Sequence, residues 1–267
     1  MNQGGAMDEL IPPKDRSGTQ TLSRGLEVLQ CVGRGISTIK ALSQAMQLPR
    51  STVARSLSCL VRDGYLHKVP YKGYYLGAKL IELGERAAEQ QPLVDIARPY
   101  LEALAEQTRD TVHFGVLDGG DVLYLCKLPG KRTLEMRSRT GGRMPALATA
   151  LGKAMLASKD PSSWPAYYAA VQQVSRPRED APALKSFAEV RRDLKEADVR
   201  GWSFDWEENE YGIRCVSAPV KNHVDNAVAA VSVTSVISFM PRDRMAALGP
   251  QVKRTADTIS RALRGES

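Results

Sequence analysis

The sequence predicts an α+β chain: an N-terminal winged helix-turn-helix, a connector helix, and a larger domain of helices around a sheet. Three observations carry this reading. Two apolar-periodic segments meet at Gln47-Leu48-Pro49 and run on into a basic hairpin. Residues 19–79 hold nine basic side chains against two acidic ones, a net of +7 that equals the formal charge of the whole chain. After residue 110 the apolar period changes from helical to alternating, as strands require.

The totals set the bounds. A length of 267 residues favours two domains over one. With 43% hydrophobic and 25% charged residues the composition is that of a globular protein. No apolar run approaches the ~20 residues of a membrane span, and the N-terminus lacks a signal peptide's apolar segment. Cys31, Cys59, Cys126 and Cys215 are scattered without a C-x-x-C pair, which argues against a zinc site or a disulfide framework and for reduced thiols in the cytoplasm.

Residues 1–18 combine Gly, Pro and charge without periodicity and read as a disordered arm. The first helix opens near Thr21, with Leu22, Leu26 and Leu29 along one side and Gly33 and Gly35 closing it. In the helix after Pro49, a residue suited to a first helical position, Val53, Leu57, Leu60 and Val61 share one face. Arg50, Ser51, Thr52, Arg55 and Ser56 occupy the other. Asp63-Gly64 ends it, and a hairpin through Pro70-Tyr71-Lys72-Gly73 follows. A purely structural hairpin has no reason to gather the entire charge excess, whereas a surface facing phosphates does. Arg50, Ser51, Thr52, Arg55 and Ser56 are therefore expected to face the major groove of double-stranded DNA, and Lys68, Tyr71 and Lys72 the flanking backbone or minor groove.

Residues 19–79 form the expected DNA-binding domain, 80–91 the connector helix, and 92–267 the second domain. Residues 92–109 read as a helix whose apolar face, with that of the connector, suits pairing between subunits. Two strands flank Asp118-Gly119-Gly120-Asp121, a strong hairpin signal. A third strand is expected over 133–138, a helix from Ala146, and helical patches over 164–174 and 184–199. Strands over 201–205, 212–220 and 227–235 follow, then a helix over 242–264. Such an order predicts a sheet with helices on one side.

Several fragments in this order resemble the IclR (isocitrate lyase regulator) family of bacterial transcription factors, over residues 21–264. They are S-R-G-L-E-V-L-Q at Ser23, L-P-R-S-T-V-A-R-S-L at Leu48, V-L-D-G-G-D-V-L-Y-L at Val116, A-T-A-L-G-K-A-M-L-A at Ala148, and D-W-E-E-N-E-Y-G-I-R-C-V-S-A-P-V at Asp205. The resemblance implies a GAF-like effector-binding second domain, assembly as a homodimer or tetramer, and control of a catabolic operon by an aromatic or short organic acid. It assigns the effector's carboxylate to the backbone N–H groups of Ala150, Leu151 and Gly152, in keeping with the anion affinity of a helix start. It places Asp205 and Cys215 on facing strands of the pocket, with Ser232 and Thr234 as hydroxyl residues on one face; the second of these is Ser in some relatives. Trp206 stands where an acid often follows the Asp, and H-V-D-N-A replaces a usual glycine before the last strand.

Asp205, Glu207, Glu208 and Glu210 could form a metal cluster or an acid/base pair, but without a nearby His such acids more often face solvent. No G-x-S-x-G, phosphate loop or Cys–His arrangement supplies an enzyme's nucleophile, so neither catalysis nor a cofactor is expected. The alternative from another class is a DNA-binding architectural protein whose second domain only oligomerises.

Overall fold

The computed structural model describes residues 20–89, 92–131, 137–174 and 182–266. The chain divides into two compact units, Met1–Gln91 and Pro92–Ser267. The expected arm, and residues 133–136 of the expected third strand, lie outside the described residues; Arg137 and Ser138 are not in a strand.

The first unit contains α1 (Gln20–Gly33), α2 (Ile39–Met46), α3 (Arg50–Arg62), the hairpin β1 (Leu66–Val69) and β2 (Gly73–Leu76), and α4 (Ala78–Glu89). Its core joins Val28, Cys31 and Val32 of α1 to Leu42, Met46, Val53, Leu57 and Leu66. Each aliphatic side chain so buried contributes ~1.5–3 kcal/mol. The face of α1 differs from expectation. Val28, Cys31 and Val32, at i, i+3 and i+4, take the core, while Leu22 and Leu26 stay 65% and 51% exposed.

The α2–α3 turn is built by local chemistry. Thr38 caps α2 through its hydroxyl, and Gln47 ends that helix in the left-handed region at φ 53°. Pro49 is the N-cap of α3, one position before the expected first helical turn. In the wing, Gly73 has φ 105°, and a Cβ there would lie 2.3 Å from the Ser37 carbonyl oxygen, so only glycine lets the hairpin close against the start of α2. Tyr74 N–H then donates to that same carbonyl at 2.8 Å.

The second unit is a six-stranded sheet covered on both faces. Its strands are β3 (Thr111–Asp118), β4 (Asp121–Leu128), β5 (Arg143–Pro145), β6 (Ser203–Trp206), β7 (Ile213–Lys221) and β8 (Ala227–Val236). They are ordered β5-β4-β3-β8-β7-β6, with every pairing antiparallel. On one face α5 (Pro92–Thr108) and α9 (Arg242–Leu263) cover Val112, Phe114, Val216, Ala218, Val220, Val231 and Val233. On the other, α6 (Ala150–Ala157), α7 (Trp164–Val174) and α8 (Phe187–Arg200) form a second core with Val122, Tyr124 and Ala230.

The expected one-sided arrangement is therefore corrected. Cys215, Ser217, Ser232 and Thr234 alternate with the valines and look like a solvent face, yet α6 packs over them. Two further differences are local. Ala146–Ala148 is a 3-10 turn, so the helix expected from Ala146 starts at Ala150. The short strand β5 was not expected. The helix α8 starts at a capping box between Ser186 and Glu189 and ends on Gly201 in the left-handed region.

Candidate functional site

In the first unit, α3 turns Val53 and Leu57 fully inward, which leaves Arg50, Ser51 and Arg55 exposed and Thr52 and Ser56 half-buried on the opposite side. Lys68, Tyr71 and Lys72 are exposed on the wing, with Tyr71 at the tip in the left-handed region, φ 62°. No acid sits in the first turn of α3. Among the described residues, Arg50, Arg55, Lys68 and Lys72 have no acidic partner, whereas Arg62 is paired with Asp63 at 2.9 Å. Unpaired cations beside short hydroxyl side chains on one exposed helix face suit phosphate and base-edge contacts.

In the second unit the candidate site is a small, partly open cavity of about 30 Å³ between the start of α6 and the polar row of the sheet. Strand register assembles that row. Asp205 pairs with Cys215, Cys215 with Thr234, and on the adjoining line Ser217 pairs with Ser232 and Ser232 with His113. Of the residues assigned by resemblance, Ala150, Leu151, Asp205, Cys215, Ser232 and Thr234 line the cavity.

Gly152 does not, and its N–H donates to Thr149 Oγ1 at 3.1 Å. Its place is structural, because a Cβ there would meet the Ala146 carbonyl oxygen at 2.1 Å. Ala150 and Leu151 therefore carry the helix N–H groups without an acceptor among the described residues. Ser203 Oγ donates to the Ala150 carbonyl at 2.6 Å and so fixes the helix start over the sheet.

His113, to which sequence reading gave no role, is buried at the centre of the row. Burial, with the Lys127 charge acting in the same direction, lowers its pKa to about 3, so the ring is neutral. Thr234 Oγ1 donates to Cys215 Sγ at 3.2 Å. With its one proton so used, it accepts from His113 Nδ1–H at 3.3 Å. The other ring nitrogen, Nε2, then accepts from Ser138 Oγ at 2.7 Å. Burial pushes the Cys215 thiol well above its ordinary pKa, helped by the charge of Asp205 and a hydrogen bond to it.

Asp205 is raised to about 7, first by burial and then by Glu208, against the pull of Lys153 and of backbone N–H donors at Glu208 and Asn209. The Glu208 N–H reaches Asp205 Oδ1 at 2.7 Å. Below it lies a second unforeseen group, Lys153 of α6, which is 2% exposed and bonded to Glu208 Oε1 at 2.6 Å. Lys185 Nζ is 3.2 Å from Glu208 Oε2, close enough for charge pairing but out of hydrogen-bonding alignment. Glu207 pairs with Arg214 at 2.9 Å and Glu210 with Arg137 at 3.5 Å. The acids following Asp205 are thus each held by a cation.

A winged helix-turn-helix with unpaired cations on its recognition helix, followed by an α+β unit with a cavity at a helix start, defines a DNA-binding regulator with an effector domain. The chain belongs to the IclR family of bacterial transcriptional regulators: residues 21–70 match the IclR helix-turn-helix domain and residues 85–261 the IclR C-terminal domain. It is 32% identical over 248 residues to the HTH-type transcriptional regulator XynR of Escherichia coli strain K12, covering 91% of this chain and 97% of that one. A solved transcriptional regulator from Rhodococcus sp. RHA1 is 26% identical, with a TM-score of 0.75, 91% of this chain and 98% of that one being covered. An IclR homologue from Microbacterium hydrocarbonoxydans, solved with 4-hydroxybenzoate, shares the fold at 23% identity and a TM-score of 0.73 over 91% of this chain and 99% of that one. No helix among the described residues is long and apolar enough to cross a membrane.

Proposed function

We propose that this regulator binds an operator through Arg50, Ser51, Thr52, Arg55 and Ser56 in the major groove, with Lys68, Tyr71 and Lys72 on the flanking backbone or minor groove. A small organic acid, aromatic or short-chain, changes that binding from the cavity in the second unit. The observation that carries the effector half is the pair of open N–H groups of Ala150 and Leu151, aimed with a helix start into a cavity lined by Ser232, Thr234, Cys215 and Asp205. A carboxylate leaving water needs such donors. The 4-hydroxybenzoate complex of the Microbacterium homologue supports an acid of this kind.

The same reading makes the protein a homodimer or tetramer on an inverted or similarly arranged repeat, controlling a catabolic operon. Exposed apolar side chains in the first unit support self-association: Leu22 and Leu26 on α1, and Ile81 on α4 at 67% exposure. An architectural protein whose second unit only oligomerises would have no use for buried polar groups around open N–H donors. The test is a gel shift on the DNA upstream of the regulator's own and neighbouring genes, with and without a panel of carboxylic acids. A band whose affinity changes with one acid supports the reading; operator binding indifferent to every acid refutes it.

A further inference from the structure

The tip of the wing carries a residue that its own turn does not favour. Lys72 N–H donates to the Val69 carbonyl at 3.2 Å and closes a turn over Val69-Pro70-Tyr71-Lys72. Proline suits the second place of such a turn. The third place holds Tyr71 at φ 62°, a conformation that glycine or asparagine adopts at far less cost. No contact within the fold offsets that cost: the Tyr71 side chain is fully exposed, with no hydrogen-bond or ring partner among the described residues. The other two tyrosines of the hairpin are used by the fold. Tyr74 packs against the core of the first unit and has Lys68 Nζ 5.9 Å from its ring centre, and Tyr75 stacks on His67 at 5.8 Å. The base of the turn is held too, by Ser37 Oγ donating to the Lys72 carbonyl at 3.3 Å and Tyr74 N–H donating to the Ser37 carbonyl at 2.8 Å. A strained aromatic residue, held out from a fixed support with nothing of its own to touch, is placed for a partner.

We propose that Tyr71 is a minor-groove wedge, its ring pressed into a flexible pyrimidine–purine step beside the sequence that α3 reads. The inference rests on the reading that the first unit binds double-stranded DNA. Lys68 and Lys72, exposed on the same hairpin, bring the tip to the phosphates. The ring carries no charge and adds nothing to that attraction. What it offers is a flat apolar face. The minor groove shows little base code, and side chains of this kind enter it where base steps unstack readily. TA and CA/TG steps do so at low cost, whereas A-tracts are stiff and narrow. Tyr71 thus selects for deformable DNA in the flank, a preference that neither the lysines nor the recognition helix supplies.

The experiment uses the full chain and a duplex that it selects from a random-sequence pool. Tyr71→Asn removes the ring and suits the turn. It should melt no lower than wild type yet bind the duplex about tenfold more weakly, a loss in the range of one aromatic ring on a base. Its salt dependence should match wild type, because no phosphate contact is lost, whereas Lys72→Ala should lower the salt slope by about one. Tyr71→Phe keeps the ring and should bind like wild type. On the DNA side, replacing the flanking pyrimidine–purine step by an A-tract should weaken wild type about tenfold and leave Tyr71→Asn unchanged. Four results each overturn the wedge while leaving DNA binding by the first unit in place: a selected duplex without such a flanking step, Tyr71→Asn binding as tightly as wild type, Tyr71→Phe binding as weakly as Tyr71→Asn, or wild type indifferent to the A-tract. A pool that yields no bound duplex removes both. If Tyr71→Asn does not fold, Tyr71→Phe and the A-tract comparison on wild type still decide the matter.

Discussion

Replacing Ala150 by proline removes one of the two proposed carboxylate donors with little other change. Ala150 is the first residue of α6, following the N-cap Thr149. Proline is favoured at that position, since its missing N–H has no partner within the helix. Thr149 already has φ −108° and ψ 148°, the extended conformation a residue before proline prefers. The helix should therefore persist, and the melting temperature should stay within a few degrees of wild type. The effector, however, loses a charge-assisted hydrogen bond worth ~1.5–3 kcal/mol, and the ring's Cδ intrudes where its carboxylate would lie. Calorimetry with the identified acid should show affinity falling by at least about tenfold, and by roughly 150-fold at the upper end of that range. Full affinity in a variant with an unchanged melting temperature would show that the carboxylate binds elsewhere.

Arg55→Ala should weaken operator binding by ~1–3 kcal/mol, the worth of one base-edge contact, without altering stability; unchanged affinity in a gel shift at fixed salt would mean that another face reads the DNA. Lys153→Met should destabilise the second unit by about 3 kcal/mol, because Glu208 is left buried with an incomplete partner set. Adding Glu208→Gln should restore part of that loss, and a single variant melting like wild type would remove the ion pair from the account. Asp205 is protonated in the folded chain up to about pH 7, so the stability it contributes is whole below its unfolded pKa near 4 and is lost as pH climbs through 7. Asp205→Asn should therefore gain about 3 kcal/mol on wild type between pH 5 and pH 8; a pH-independent difference in melting would contradict the burial argument.

The recognition helix and the hairpin at Asp118–Asp121 were legible because their signals are local: one apolar stripe in α3, one turn motif between two alternating runs. The stripe of α1 misled because Leu22 and Leu26 are as periodic as Val28 and Val32, and nothing local says which set the core takes. The sheet's second cover was missed for a related reason. Cys215, Ser217, Ser232 and Thr234 have the polar alternation of a solvent face, and only tertiary packing turns that face toward α6. His113 had a weak signal, since it alternates with Val112 and Phe114 on an inward-facing strand. Its partners, Ser138 and Thr234, are 25 and 121 residues away. Lys153 had none, because a lysine within an apolar helical run becomes tolerable only once Glu208, 55 residues on, is brought to it. Six of the residues that the resemblance assigned meet at one cavity, while Gly152 stands outside it with its N–H donated to Thr149 Oγ1, a cap bond that no local signal announced.

The central claim is that an acid held in the second unit controls operator binding by the first. It is tested most directly by operator-binding isotherms with and without the identified acid, on wild type and on Ser232→Ala. The Ser232 side chain is only 2% exposed and lines the cavity of the second unit, whereas every proposed DNA contact belongs to the first. The account predicts that Ser232→Ala binds the operator like wild type when no acid is present and loses most of the response when acid is added. A variant that responds as fully as wild type, at the same acid concentration, would contradict it.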